Sequence, residues 1–240
     1  MADPGAPAGA LAGRLAQVRA EIVACTRCPR LRSYCTRIAK DKKAAHRDEI
    51  YWGKPVPGFG DPGARLLIVG LAPAAHGGNR TGRTFTGDGS GDFLMSALHR
   101  TGFANIPTSR AVDDGLTLRD AYILAAVRCA PPQNKPLPEE IVRCRPHMAA
   151  EIAALPRVRV VVALGKIGHD AYLAYLADQG YVRRPRPAFG HGSRAAIDRG
   201  HGAMLLLGSY HPSRQNTNTG KLTAEMLEAV FRKAAQLVNS

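Results

Sequence analysis

The sequence contains no apolar run near the ~20 residues that a membrane-spanning helix needs. It is 45% hydrophobic and 22% charged, as ordinary globular proteins are. Residues 1–10 lack the basic patch and the apolar centre of a signal peptide, and they are rich in Ala, Pro and Gly. We therefore expect a cytoplasmic protein with no membrane partner. We expect residues 1–20 to be a flexible leader and the start of a first helix, and residues 21–240 to form a single domain.

Three signatures of small-molecule enzymes are also missing. The glycine-rich residues 70–91 contain no Gly-Lys-Ser/Thr, so they are not a Walker A phosphate loop, and their spacing is not the G-x-G-x-x-G of dinucleotide-binding folds. No G-x-S-x-G marks a hydrolase nucleophile. A small-molecule α/β enzyme is therefore a weak alternative. It would bind duplex DNA with little dependence on salt.

Acidic residues are scarce, since 19 Asp and Glu face 33 Lys and Arg and leave a net charge of +14. A surplus of this size favours polyanionic partners, because neutralised phosphates release condensed counterions. The surplus is spread over the chain, which suits a folded surface better than a disordered arm. Its densest clusters are Lys40–Lys43 with Arg47, and Arg183, Arg184, Arg186 and Arg194.

Cysteines are few and odd in number, which argues against a disulfide framework. Cys25 and Cys28 form a C-x2-C pair, and Cys129 and Cys144 follow much later with fourteen residues between them. Four thiolates bind either zinc or an iron–sulfur cluster, and a zinc ribbon is less favoured because the second pair is not C-x2-C. Cys129 and Cys144 could instead be small core residues, and Cys35 competes as a ligand.

Hydrophobic patterning predicts strands that alternate with helices, and hence a parallel sheet covered on both faces. The predicted strands are 65–70, 121–127, 158–164 and 203–207. The predicted helices are 11–24, 92–101, 138–155, 167–177 and 223–237. Residues 29–63 are expected to be irregular and 178–202 to be loop-rich and basic. Ligands of such sheets bind beyond the carboxyl ends of the strands.

Three polar loops follow the predicted strands. Residues 70–91 hold seven glycines in 22 positions, which allows a ligand close to the backbone. Phe85 in that loop is placed to stack on a planar base, or else fills the core. Asp88 is a candidate catalytic carboxylate or a turn residue, and Asp92 is the better N-cap candidate for the next helix.

The other two loops carry hydrogen-bonding side chains. His211 directly follows the fourth strand and is succeeded by Pro212 and a run of polar residues. A lone histidine is more often structural than catalytic, but this position raises the odds of function. Gln133 and Asn134 lie in a proline-rich loop, and either amide could read a base edge.

These loops resemble the motifs of the uracil-DNA glycosylase superfamily, in particular its iron–sulfur branch called family 5 or type b. The resembling segments are GLAPAAHGGNRTGRTFTGDGSG (70–91), YILAAVRCAPPQNKP (122–136) and SYHPSRQNTNTGKLT (209–223). The resemblance implies a three-layer α/β/α sandwich around a four-stranded parallel sheet. It implies a monomer that acts at the nucleoid on damaged, double-stranded DNA.

The resemblance also implies a cofactor and a set of site residues. A structural [4Fe–4S] cluster would be held by Cys25, Cys28, Cys129 and Cys144, with Cys35 left over. The catalytic residues would be Asp88, Asn134 and His211. The base-binding residues would be Phe85, Gly70, Ala72 and His76. The DNA-binding residues would be Arg80, Arg83, Ser213, Arg214, Gln215 and Asn216.

The implied mechanism is base flipping, in which the target nucleotide leaves the stack and enters a pocket. Phe85 would stack on the base, and His211 would hydrogen-bond the carbonyl that gains negative charge. The loop 212–219 would wedge the minor groove, with Arg214 and Gln215 filling the vacated stack.

Two departures from other branches bear on mechanism and specificity. Many relatives place a carboxylate beside the proline of the first motif, whereas residues 70–74 read GLAPA, so Asp88 is the remaining candidate to orient water or stabilise the sugar. Relatives strict for uracil have an asparagine where Ala125 stands. We expect a range wider than uracil, extending to hypoxanthine. A non-catalytic iron–sulfur DNA-binding protein is the alternative.

Overall fold

The computed structural model describes residues 5–182, 185–200 and 202–240. Arg183 and Arg184 of the predicted basic cluster lie outside these residues. The strands of the described chain are β1 (Phe59–Gly60), β2 (Leu66–Gly70), β3 (Ala121–Ala125), β4 (Val160–Leu164), β5 (Arg194–Asp198) and β6 (Ala203–Ser209). The α-helices are α1 (Ala8–Val23), α2 (Pro29–Asp41), α3 (Gly78–Thr81), α4 (Gly89–Arg100), α5 (Pro138–Ala153), α6 (Lys166–Asp178), α7 (Arg214–Asn218) and α8 (Ala224–Asn239).

The sheet has the order β1-β3-β2-β4-β6-β5 within the described part of the chain. The four inner strands β3, β2, β4 and β6 are parallel, as predicted, and the two edge strands pair antiparallel. The expected four-stranded sheet is thus the centre of a six-stranded one. The sequence pattern did not predict the edge strands, because β1 has only two residues and β5 has three exposed positions out of five and charged residues at both ends.

Two hydrophobic clusters cover the two faces of the sheet and make the fold a three-layer α/β/α arrangement. Leu66 and Ile68 of β2 point into the cluster formed with α4 and α8. Leu67 and Val69, which alternate with them, point into the cluster formed with α1, α5 and α6. Both faces are buried, which explains why these strands are continuously apolar.

Helix α2 lies in a segment that was expected to be irregular, so that expectation was wrong. Pro29 occupies the first turn, where its missing N–H is no loss. Leu31 and Cys35 follow four residues apart on one buried face, and Arg37 and Lys40 are exposed. The proline and basic content of 29–63 obscured this helical spacing. Helix α1 likewise begins at Ala8, before the predicted start, and buries Leu11 and Leu15.

The chain leaves β2 for β3 on one side and later reaches β4 on the other side, so the topology switches direction at β2. A crevice opens at such a point beyond the carboxyl ends of parallel strands. The loops after β2, β3 and β6 all begin at that edge. Within the described residues, no helix is long and apolar enough to span a bilayer.

Candidate active site

A cavity of about 520 Å³, here called the base cavity, opens at the carboxyl edge of the sheet. The three loops singled out from the sequence all contribute to its wall. Its lining residues are Leu71, Ala72, Ala74, Phe85, Asp88, Gly89, Ser90, Gln133, Asn134, His211, Ser213, Arg214 and Gln215. The fold therefore brings together Phe85, Asp88, Asn134 and His211, which the sequence places as much as 126 residues apart.

Phe85 forms one wall of the cavity and lies beside the imidazole of His211. The two ring centroids are 5.7 Å apart with an angle of 30° between the planes. The ring lies directly over Gly70, where a Cβ atom would come within 2.9 Å of it. Gly70 therefore does not line the cavity but leaves room for the ring that does. Phe85 itself has a φ of 51°, in the left-handed region that side chains other than glycine seldom adopt.

His211 is fixed from its backbone while its ring faces the cavity. The side-chain amide of Asn216 donates to the His211 carbonyl oxygen at 2.8 Å. Gly165, with a φ of 84°, passes under the His211 side chain, and a Cβ there would lie 3.2 Å from that of His211. Burial lowers the pKa of His211 to about 4. A neutral imidazole at physiological pH can donate a hydrogen bond without carrying a charge.

Asp88 caps helix α4, which corrects the expectation that Asp92 would be the cap. Its Oδ1 accepts from the backbone N–H of Gly91 at 2.9 Å, whereas Asp92 accepts from Ser109 N. Its Oδ2 lies against Gly77, where a Cβ would come within 2.1 Å of it. Burial, opposed by the hydrogen bonds of the helix terminus, raises the pKa of Asp88 above its ordinary value. A carboxylate with a raised pKa accepts a proton more readily.

Gln133 and Asn134 reach the cavity from a strained turn after β3. Their φ values are 55° and 57°, in the left-handed region that side chains other than glycine seldom adopt. Pro131 and Pro132 precede them and restrict the backbone. The turn therefore fixes the backbone from which both side chains reach the cavity.

Arg80 and Arg83, expected on the DNA surface, are buried and have internal partners. Arg80 is 8% exposed, pairs with Glu49 and donates to the Gly87 carbonyl oxygen at 2.9 Å. Arg83 is 6% exposed and forms an ion pair of 2.7 Å with Asp114. Both guanidinium groups hold the loop that carries Phe85 and Asp88. The sequence did not indicate these roles, because a glycine-rich composition is typical of a mobile loop. Here buried ion pairs hold the loop in place.

The remaining predicted residues of this region divide between the cavity and its supports. His76 is outside the cavity wall, and its Nδ1 lies 3.0 Å from the Tyr51 hydroxyl. Ser213 lines the cavity and caps α7 by accepting from Asn216 N at 3.3 Å. Arg214 and Gln215 are exposed at the start of α7, beside the opening.

Four of the five cysteines surround another, much smaller cavity of about 10 Å³. Cys25 and Cys28 reach it from the turn between α1 and α2, Cys129 from the loop after β3, and Cys144 from α5. Cys35 is buried outside the cavity wall, and its thiol donates to the Ala130 carbonyl oxygen at 3.6 Å. Cys35 therefore differs from the other four in not lining the cavity, although its thiol is hydrogen-bonded to that of Cys129.

The surroundings of the four thiols are cationic. Arg27, Arg32, Arg128 and Arg143 all line the same cavity. Burial raises the pKa of Cys144 to about 12. Four thiols around one cavity suit an iron–sulfur centre that binds them as thiolates, and the arginines suit the net negative charge of thiolate-bound iron. Among the described residues, however, no three metal-ligating side chains are already drawn together as in a closed metal site.

Sequence reasoning missed several residues of the base cavity wall. Leu71, Ala74, Gly89 and Ser90 line it without carrying a distinctive side-chain chemistry. The signal that could have found them is their position, since each lies close to a predicted site residue in the same loop. Their small or apolar side chains shape the cavity but give no sequence signal of a functional site.

Comparison with known proteins adds a family match and curated relatives. Residues 57–235 match the model of the family described as "Uracil DNA glycosylase superfamily". The chain is 49% identical to a "Type-5 uracil-DNA glycosylase" from Thermus thermophilus, across 90% of this chain and 94% of that protein. It is 45% identical to a protein of the same name from Pyrobaculum aerophilum, across 89% of each chain. A "Type-4 uracil-DNA glycosylase" of that organism is 33% identical, across 55% of this chain and 59% of that protein.

Proposed function

The chain belongs to the Uracil DNA glycosylase superfamily, and from that premise we propose how the cavity at the carboxyl edge of the sheet works. The chain is a DNA glycosylase that removes uracil, as the name of its type-5 relatives states for them. We propose that the base cavity receives the flipped base and that water hydrolyses the N-glycosidic bond, leaving an abasic site. The single observation that carries this is the convergence of Phe85, Asp88 and His211 on one cavity.

The base would lie against Phe85 with a carbonyl oxygen at His211. When the bond between C1′ and the base breaks, its electron pair passes to the base and concentrates on that oxygen. A neutral imidazole donating a hydrogen bond stabilises this charge more than it stabilises the uncleaved base. The lowered pKa of His211 supports this role, because a neutral ring holds its proton in the complex rather than giving it away.

Asp88 would act on the sugar side of the same bond. As a carboxylate it stabilises the positive charge that develops at C1′, and it orients the attacking water and accepts its proton. The raised pKa supports the second task, and the fixed Oδ1 contact with Gly91 N supports the first by holding the group in place. Asn134 would assist through its amide on the base or on the water.

We propose a substrate range that extends past uracil to other deaminated bases, including hypoxanthine. Ala125 stands where strict relatives have an asparagine, and it is buried at the end of β3 beside Gly70. With no amide there, no buried polar group is left unpaired by a different base, so discrimination is weak. Gln133, Asn134 and Gln215 are the amides that line the base cavity within the described residues.

For the four-cysteine site we propose a [4Fe–4S] cluster with a structural role. Cys25, Cys28, Cys129 and Cys144 would hold it, and Arg32, whose guanidinium lies 3.9 Å from the Cys129 Sγ, would offset its charge. A bound cluster would link α2, α5 and the loop after β3 through its cysteine ligands. The hydrolysis itself requires no electron transfer.

We propose damaged double-stranded DNA as the partner and a monomer acting at the nucleoid in the cytoplasm. Arg214 and Gln215 would enter the minor groove at the cavity mouth, and the +14 net charge supports contact with phosphates. Arg80 and Arg83 are not part of this proposal, because their charges already have buried partners. Residues 21–240 would act as one domain, to which α1 adds its buried face.

The test uses oligonucleotide duplexes that carry one uracil or one hypoxanthine. After incubation with the protein, alkali converts abasic sites to strand breaks, which are counted on a gel. We expect breaks at both lesions, an effect of Asp88→Ala and His211→Ala on rate of about 100-fold or more, and little effect of either on DNA affinity. Asp113→Asn and His99→Gln alter exposed residues and are the matched controls. Full activity of both Asp88→Ala and His211→Ala would contradict the proposal. Loss of activity in the control variants while the wild type cleaves would also contradict it.

A further inference from the structure

A cavity of about 410 Å³, here called the side cavity, adjoins the base cavity on the side of β4 and β6. The two share Leu71 and His211 in their walls, so they meet at the imidazole. The side cavity receives residues from the end of β4, the start of α6 and the segment before β5. That last segment belongs to the basic stretch 178–202.

The wall of the side cavity combines aromatic, apolar and cationic side chains. Phe189 is half-buried there and meets the rings of His169 and Tyr210 at tilts of 62° and 56°. Among the described residues no ring stacks parallel to it. Ile167, 41% exposed, is one of the few large apolar side chains that the described surface leaves open to water. A planar group seated here would cover both.

Lys221 provides a positive charge at the same place. Its Nζ lies 5.0 Å above the centre of the Tyr210 ring, and the Tyr210 ring is stacked on His191 at 5.2 Å. The ammonium is thus held by an aromatic platform instead of a carboxylate, and the described residues include no acidic partner for it. Its charge remains available to an anion. Lys166, by contrast, pairs with Asp170.

We propose that the side cavity binds the nucleotide next to the extruded one, with its base against Phe189 and its phosphodiester at Lys221. A planar base covers an aromatic and an aliphatic side chain, and stacking on an aromatic ring does not depend on sequence. A phosphodiester suits a lysine that has no carboxylate partner. The inference rests on the proposed function, because it assigns a neighbour to the base that the base cavity holds.

The experiment measures single-turnover excision of uracil from three duplexes. One is unmodified, and the other two carry an abasic spacer in place of the nucleotide immediately 5′ or 3′ of the uracil. For the wild type, one of the two spacers should slow excision about tenfold, as loss of one stacked base implies. Phe189→Leu should slow excision from the unmodified duplex by a similar factor, and the same spacer should slow this variant no further. Equal slowing of both proteins by the spacer, or no slowing of the wild type by either spacer, would overturn the proposal.

A second variant keeps the test decisive if Phe189→Leu does not fold. Lys221→Ala should reduce the dependence of log affinity on log salt by about one unit, the change expected for one phosphate contact. Lys233→Ala, at an exposed lysine of α8, is the matched control and should leave this slope unchanged. An unchanged slope for Lys221→Ala would overturn the phosphate contact. Failure of the proposed function looks different, because the wild type would then excise uracil from none of the duplexes.

Discussion

Replacing Gly77 by alanine tests how closely Asp88 must be placed. The new Cβ would lie 2.1 Å from the Asp88 Oδ2, whereas ordinary contact begins at 3.4 Å, so the carboxylate must retreat by about 1.3 Å. A catalytic group misplaced by ~1 Å loses roughly 100-fold in rate, which corresponds to about 2.7 kcal/mol of activation free energy. We therefore expect Gly77→Ala to slow uracil excision about 100-fold.

The assay is single-turnover excision at saturating enzyme, which reports the chemical step. Asp88→Asn keeps an oxygen that can cap α4 but removes the charge. We expect the double variant Gly77→Ala/Asp88→Asn to be no slower than Asp88→Asn, because the alanine acts through the carboxylate. Gly13→Ala, where a Cβ meets nothing within 4 Å, is the control. Thermal melting of each variant checks that it is folded.

Two results would refute this reasoning. One is a wild-type rate in folded Gly77→Ala, which would mean that the position of the carboxylate does not matter or is not set by Gly77. The other is a further loss of about 100-fold when Gly77→Ala is added to Asp88→Asn. The alanine would then act on some other part of the loop.

Three further predictions concern pH and the cysteines. Burial lowers the pKa of His211 to about 4. The rate of excision measured from about pH 7.5 down to about 5.5 should therefore show no step at the ordinary histidine pKa of about 6.5. A step there that His211→Gln abolishes would contradict this. Burial opposes ionisation of Asp114, but the Arg83 guanidinium and three backbone N–H groups outweigh it and lower the pKa of this carboxyl to about 2. The carboxylate therefore contributes stability above its unfolded pKa of about 3.9, and this stability is lost as pH falls towards the folded value. Asp114→Asn should lower the free energy of unfolding at neutral pH by about 2 kcal/mol. An unchanged denaturant midpoint would count against the stabilising contacts of Asp114 with Arg83 and the backbone. Cys144→Ala should abolish the visible absorbance and the bound iron of the purified protein while Cys35→Ala retains both; equal loss in the two variants would remove the distinction between them.

The inner part of the fold could be predicted from the sequence because its signals are local. The strand 158–164 is continuously apolar since both faces of the sheet are covered, and the structure has β4 there. The edge strand β5 lacks that signal, since its sequence RAAID pairs with one neighbour only and buries little. Its existence depends on β6 and not on its own residues. Helix α2 shows the same limit, as its buried face depends on the cysteine region that it packs against.

The sequence predicted the side chains that line the base cavity better than the buried ion pairs that hold its loops. Phe85, Asp88 and His211 stand out because they are unusual side chains at strand ends, and the fold places all three in one wall. Arg80 and Arg83 were misjudged because an arginine in a glycine-rich loop has the same appearance whether it faces phosphate or a buried carboxylate. Glu49 and Asp114, which decide the matter, are each 31 residues away in the chain from the arginine they pair with. Contacts of that kind leave no local pattern.

The short stretch from Cys129 to Asn134 joins the two centres of the molecule. Cys129 lines the cavity of the four thiols, and Asn134, five residues later, lines the base cavity. Two prolines between them restrict the backbone. If this stretch carries the proposed cluster at Cys129, bound iron would limit how far Asn134 can move. Loss of iron is then expected to slow excision through the backbone of this short segment, at a distance from the reacting bond.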